Sequence, residues 1–339
     1  MRTLVKMFLE KEISRRYFIK EMMALGFSVT AANSVLHALA ETCKPPGTRY
    51  NQVQQISSHN SYDEDDLKPG LYEQAEARVR SFELDIHQGA PGGDSPRSDW
   101  DVYHSIGGTG DHCGRLSECL AILKRWHDDN PNHEVITIFL QLVDPWQSGG
   151  NMPVDLDDNR LAQDLPGLIY RPQELLRRCP GAGSLQEAVT RCGWPTLTSL
   201  RGRVIIVLNG DIGTVANYGP YGGKLCFIQP QNISFADLRS PQWQNAVFYN
   251  CKPSHATDAL AVEQARLVSR MYITQSGDDQ AAYDIAMNSR VHHIATDHAT
   301  QQFFEPRLVD VCGKPFRLLP TVGRMQLSRG NVFFKQHQA

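Results

Sequence analysis

Three short stretches of the chain carry residues whose types and spacing suit the handling of a phosphate group. His59 and Asn60 stand in Ser57-Ser58-His59-Asn60-Ser61-Tyr62, Glu83 and Asp85 in Ser81-Phe82-Glu83-Leu84-Asp85-Ile86, and His104 in Tyr103-His104-Ser105. Residues i and i+2 of a strand share a face, so Glu83 and Asp85 present two carboxylates side by side. Two carboxylates and the carbonyl oxygen of Asn60 are hard ligands, suited to Ca²⁺ or Mg²⁺ rather than zinc. Two imidazoles beside such an ion supply an acid and a base for phosphoryl transfer. Because Phe82, Leu84 and Ile86 alternate with the acids, the other face of this strand is apolar. An unpaired acid inside a barrel is costly, which favours a functional cluster over a solvated one.

Something must bring these stretches to one rim. Strand-like runs occupy residues 52–57, 81–87, 101–104, 135–143, 203–209, 246–249, 270–274 and 292–296. Helical patterns lie between several of them, including residues 116–128 and 259–268. Val135-Ile136-Thr137-Ile138-Phe139-Leu140 and Val204-Ile205-Ile206-Val207-Leu208 are the continuous apolar runs of strands covered on both faces. Eight strands with interleaved helices predict an α/β fold, a single-domain distorted (β/α)₈ TIM-type barrel. The competing doubly wound sheet often carries a Gly-rich phosphate fingerprint, and none is present. Residues 145–195 and 210–240, rich in Pro, Gly, Asn and Asp, read as long loops. Polar residues at C-terminal strand ends of such a barrel point into its site.

The three motifs resemble those of the Ca²⁺-dependent phosphatidylinositol-specific phospholipase C family, most closely its secreted bacterial branch. Gly202–Leu208, Ser269-Arg270-Met271 and His293-Ile294-Ala295-Thr296-Asp297-His298 extend the likeness over most of residues 50–300. The resemblance implies His59 and His104 as the catalytic pair and Asn60, Glu83 and Asp85 as Ca²⁺ ligands. Gln141 falls where the family has a fourth ligand, a Glu, and Val143 where it has a Lys. Arg270 is implied as a substrate-binding residue, beside a Met271-Tyr272-Ile273 stretch less polar than the pattern. The implied substrate is a phospholipid or phosphorylated polyol, with transient contact at a membrane surface. Two other readings stand beside it: a different phosphodiester on the same barrel, or an inactive barrel that binds phosphorylated headgroups. With one carboxylate fewer, Ca²⁺ affinity is expected in the weak range of roughly 10⁻⁴–10⁻³ M. His59-Asn60-Ser61 lacks the His-Arg-Gly of the related glycerophosphodiester phosphodiesterases.

The first forty residues read as an address. Ser14-Arg15-Arg16-Tyr17-Phe18-Ile19-Lys20 resembles the twin-arginine export signal, and Ala38-Leu39-Ala40 resembles a signal-peptidase site. The expected division is a signal over 1–40 and a barrel domain over 41–339, with its core at about 48–300 and a tail over 301–339. The protein is expected in the periplasm or outside the cell, as a monomer. All eight cysteines follow the cleavage site, so disulfides are expected in that oxidising compartment, and no Cys-x-x-Cys suggests zinc.

The whole chain, 339 residues with 41% hydrophobic and 21% charged content, is ordinary for a globular protein. A net charge of −3 leaves no basic field for nucleic acid. Gly107-Gly108-Thr109-Gly110 lacks the Lys-Ser/Thr of a P-loop, and Asp155-Leu156-Asp157-Asp158-Asn159 breaks the EF-hand pattern at Arg160, where Gly is needed, so it reads as a solvated acidic turn. No Gly-x-Ser-x-Gly elbow exists. Trp146, Trp194, Trp243 and Phe303-Phe304 read as core or rim packing.

Overall fold

A computed structural model of the protein describes residues 4, 15–32, 35, 47–63, 68–88, 99–104, 112–146, 152–219, 223–273, 280–297, 299 and 317–319. Eight parallel strands form the barrel: β1 (Val53–Ser58), β2 (Ser81–His87), β4 (Ile136–Leu142), β5 (Val204–Gly210), β6 (Phe227–Pro230), β7 (Phe248–Cys251), β8 (Val268–Tyr272) and β9 (His293–Thr296). Ladder hydrogen bonds join them in two sets, β1-β9-β8-β7 and β2-β4-β5-β6. The sets lie side by side at two seams, β1 against β2 and β6 against β7. The first seam is tied by Ser61 N–H donating to Glu83 O at 3.0 Å and Ser81 Oγ donating to Ser57 Oγ at 2.8 Å. Two short antiparallel strands line its ends. β10 (Arg317–Leu318) pairs with Val53 and Gln54, and β3 (Asp101–Val102) pairs with Ile86 and His87. Both cover backbone edges that would otherwise be open to pairing.

Three sequence expectations change. Residues 101–104 do not supply a barrel strand, because β3 runs antiparallel on the edge of β2. The eighth barrel strand is β6, inside the stretch read as a loop. The acidic turn is instead helical over Asp155–Leu161, and its Asp157 is buried, accepting the Tyr218 hydroxyl at 2.6 Å.

Alternation along the strands sorts the core. Phe139, Val207, Phe227 and Phe248 face the barrel axis and pack with Tyr50 and Trp194. The opposite faces, Leu84, Ile138, Leu140, Ile206 and Leu208, pack outward with Leu116, Leu120 and Leu123 of the helix Leu116–Asp129. Cys113–Cys119 pins the start of that helix and Cys179–Cys192 brackets the helix Leu185–Arg191. Cys226 and Cys251 are buried free thiols, so the expectation of general pairing fails there, while Cys43 and Cys312 lie outside the described residues. The Trp194 and Trp243 side chains are core, as expected, and Trp146 is rim packing, donating to Thr214 O at 2.9 Å. Phe303-Phe304, Gly107–Gly110 and Ala38-Leu39-Ala40 fall outside the described residues. Among the described residues no helix is long and apolar enough to cross a membrane.

Two histidines at the base of β9 are fully buried. His292 Nδ1 accepts from Ser269 N–H at 3.0 Å, and its Nε2–H donates to Asn51 O at 3.0 Å. His293 joins Ser81, Gln55 and Tyr50 in a network that reaches Thr137. Burial lowers His292 to about 4 and holds His293 well below its usual value. A base depressed on folding binds its proton more tightly when unfolded, so its contribution is present above pH 6.5 and lost as the pH falls toward 4. Unfolding free energy should therefore drop by roughly 2 kcal/mol from His292 alone between pH 7 and pH 5. Denaturant titrations at the two pH values measure this. A His292→Asn variant should be less stable at pH 7 and lose that part of the pH dependence.

Candidate active site

The turn after β1 begins the site. Asn60 has φ +41°, a left-handed value that asparagine tolerates better than most residues. This turn brings the Asn60 N–H within 3.4 Å of Glu83 Oε2. His59, next to it, faces the same carboxylate, with Nε2 3.8 Å from Glu83 Oε2. Its other nitrogen, Nδ1, lies 2.8 Å from Asp297 Oδ1, just beyond β9, and its ring stacks on Tyr272 at 4.1 Å. Lys68 Nζ reaches the same Asp297 oxygen at 2.9 Å. Burial alone would raise Asp297, but the bonds and charges of His59 and Lys68 outweigh it and hold the carboxyl at about 2. An ionised Asp297 fixes a proton on His59 Nδ1 and leaves Nε2 free to face the site.

His104 approaches from the other side, Nδ1 3.4 Å from Asp85 Oδ2, with more than half of its side chain exposed. The bond to Asp85 raises the imidazole above its usual value despite partial burial. Both histidines thus flank the Glu83–Asp85 pair, on opposite members. Arg270 crosses from β8 to Glu83, Nη2 to Oε2 at 2.5 Å, both side chains only 2% exposed, and its guanidinium lies over the Phe139 ring at 5.1 Å. So the residue expected to meet substrate is engaged by a site carboxylate.

Gln141 is in register with Asp85 and shares its face of the sheet, and its Oε1 accepts from Gln231 Nε2 at 3.1 Å. Asp144, the nearest other acid, turns away to bond Gln88 N–H at 3.0 Å and to pair with His87. Val143 is exposed at the end of β4. Asp297, Lys68, Tyr272 and Gln231 were not singled out from the sequence. Asp297 had a visible signal, an acid directly after a strand, whereas Lys68 sits in a loop with none.

Among the described residues no three His, Cys, Asp or Glu side chains converge as a metal cluster. The donor set fits a hard cation nonetheless. Asn60 Oδ1 and Asp85 Oδ1 are buried without partners, while the Asn60 side chain is held by Asp63. Burial, reinforced by Glu83, raises Asp85 despite its bond to His104, the mark of a carboxylate short of positive charge. Amide and carboxylate oxygens of this kind suit Ca²⁺.

An eight-stranded parallel barrel thus carries an acidic pair and two imidazoles at its C-terminal mouth. A family model, phosphoinositide phospholipase C, Ca²⁺-dependent, matches residues 108–307, and the chain belongs to that family. Its members depend on Ca²⁺. Among solved structures, the calcium-dependent phosphoinositol-specific phospholipase C of a Pseudomonas species, in a myo-inositol complex, is 24% identical with a TM-score of 0.67, covering 80% of this chain and 96% of that one. The Ca²⁺-dependent enzyme of Streptomyces antibioticus is 18% identical with a TM-score of 0.61, covering 74% of this chain and 95% of that one. These likenesses establish the distorted barrel. No curated protein matches the chain.

Because Gln141 lies beside Asp85, Gln141→Glu adds a carboxylate to the donor set. Ca²⁺ affinity, measured by calorimetry, should rise about tenfold with the fold unchanged. Unchanged affinity would show that this position does not face the ion.

Proposed function

We propose that the protein cleaves a phosphatidylinositol-type phosphodiester by intramolecular phosphoryl transfer, with His59 and His104 as its catalytic pair. The observation that carries this reading is the placement of the two imidazoles on opposite members of the Glu83–Asp85 pair, one braced by Asp297. Asn60, Glu83, Asp85 and Gln141 would hold Ca²⁺, which when bound lowers the pKa of the attacking hydroxyl and neutralises phosphate charge.

The chain's own groups do the rest. A site carboxylate takes the proton from the hydroxyl neighbouring the phosphodiester. The exposed His104 donates a proton to the departing alcohol oxygen, where the lipid portion leaves toward solvent. His59, held through Nδ1–H by Asp297, acts in its doubly protonated form and donates Nε2–H to the phosphate oxygen on which charge develops. Tyr272 holds the His59 ring in plane. Diacylglycerol and a cyclic inositol phosphate are the products that membership of this family implies.

His59→Ala and His104→Ala should each remove release of cyclic phosphate from phosphatidylinositol in millimolar Ca²⁺. Turnover that survives either change ends the assignment. Asp297→Asn should lower kcat about 100-fold while leaving KM nearly unchanged, because the imidazole loses its fixed tautomer but not its place.

Export supports the same substrate class, since lipid outside the cytoplasm is then within reach. The signal over 1–40 and the domain over 41–339 are part of this reading. The two disulfides favour an oxidising compartment. Removing residues 1–40 takes away six bases and three acids, leaving about −6, so attraction to anionic lipid as a whole is weak. Replacing Arg15-Arg16 by Lys-Lys should retain the protein in the cytoplasm, seen by cell fractionation. Unchanged export in a strain without the twin-arginine translocase would reject this route.

A further inference from the structure

The inward face just above the aromatic core is a row of amides. Asp85, Gln141, Asn209 and Gln229 are consecutive partners across β2, β4, β5 and β6, so they stand on one level of the barrel. On the other half, Asn250 is the register partner of Arg270. Asn209 and Gln229 are both 0% exposed, and in each the side-chain oxygen and nitrogen lack a hydrogen-bond partner. Asn250 Oδ1 is likewise buried and unpaired. A buried amide with neither end bonded destabilises the fold, so five such atoms in one wall call for a ligand that satisfies them.

We infer that Asn209 and Gln229 are specificity-determining residues that read the hydroxyls of an uncharged cyclic polyol. The inference rests on the proposed phosphatidylinositol-type substrate and names what its headgroup meets inside the barrel. Each amide offers an NH₂ group that donates and a carbonyl oxygen that accepts, and a hydroxyl can return either bond. Val207 and Phe227, two residues earlier on the same strands, floor the wall with apolar surface against which the carbons of a ring can rest. Arg270 is the one cation among the six wall residues, and Glu83 engages it. Asn209 and Gln229 therefore supply hydrogen bonds without charge, and a ring bearing further phosphates gains nothing from them.

The test pairs affinity with stability in the full chain. Asn209→Leu and Gln229→Met keep volume while deleting the polar atoms. Each should weaken binding of free myo-inositol about tenfold by calorimetry and raise KM for phosphatidylinositol, while raising Tm because the orphaned atoms are gone. An amide that merely supports the fold, or holds a buried water, would leave inositol affinity unchanged on substitution, and that result overturns the inference. Should either variant fail to fold, wild type with deoxyinositols decides. A wall that reads hydroxyls binds some single-deoxy analogue at least tenfold more weakly than inositol, and equal affinity for every one overturns the inference. Tighter binding of inositol 4-phosphate than of inositol would also contradict it. Wild type that neither binds inositol nor cleaves the lipid rejects the substrate reading itself, whereas wild-type cleavage with unaffected variants rejects only the wall.

Discussion

The ion pair between Arg270 and Glu83 spans 187 positions of sequence and joins the two hydrogen-bonded halves of the barrel. Glu83 belongs to the β2 set and Arg270 to the β8 set. Neither charge could sit where it does alone, because both are almost wholly removed from water. Removing one partner of such a pair typically costs 3–5 kcal/mol, since the other charge is stranded. The pair thus serves first as a condition on the fold. Only with Glu83 neutralised in this way can β2 carry a second acid, Asp85, on the same buried face. The aromatic floor at Phe139 then lies under the guanidinium instead of under a bare carboxylate.

That arrangement explains why the site lies at a seam. No ladder bonds cross from β1 to β2 among the described residues, and the strands are held by side chains and by the turn through Asn60. Backbone groups freed from a ladder are available to the site, as the Asn60 N–H is to Glu83. The edge strands β3 and β10 then protect what the seam leaves open, and β3 also sets the position from which His104 returns to Asp85.

Much of this was legible in the sequence, and the failures have physical causes. β2, β4 and β5 announce themselves because their apolar runs are long enough to be buried on both faces. β6 did not, because Phe227-Ile228-Gln229-Pro230 is four residues, half of them polar or proline, in a stretch dense with turn formers. Its Gln229 is polar yet wholly buried, which a pattern of apolar residues cannot reveal. Asp101-Val102-Tyr103-His104 looked like a barrel strand because strand pattern carries no direction, and only pairing shows that it runs antiparallel. The site motifs were readable because their chemistry is crowded into a few residues at strand ends. Lys68 was not, since a loop lysine has no periodicity, and its part depends on a contact with Asp297 across 229 positions. The even count of cysteines suggested general pairing, but Cys226 ends up just before β6 and Cys251 at the far end of β7. Parallel neighbours of that length separate such positions by the length of a strand, so the two thiols cannot bridge.

The replacement of charge by amides follows the same logic as the ion pair. With Glu83 bound to Arg270, Asp85 is the one carboxylate of the pair without a full counter-charge, and burial raises it. A third carboxylate at position 141 would sit at the next strand in register, about 5 Å away, with no second arginine to offset it. Gln141 avoids that repulsion and remains able to offer an oxygen, so the fold can be held in the absence of a bound cation. The consequence is a division of labour along one level of the barrel. Charge is confined to β2 and β8, where Arg270 and Glu83 meet, and neutral polar groups continue over β4, β5, β6 and β7, where charge would have no partner. A barrel interior can tolerate many polar atoms if they are amides and few if they are acids. That difference, set by desolvation, orders the mouth of this barrel from its ionic side to its amide side.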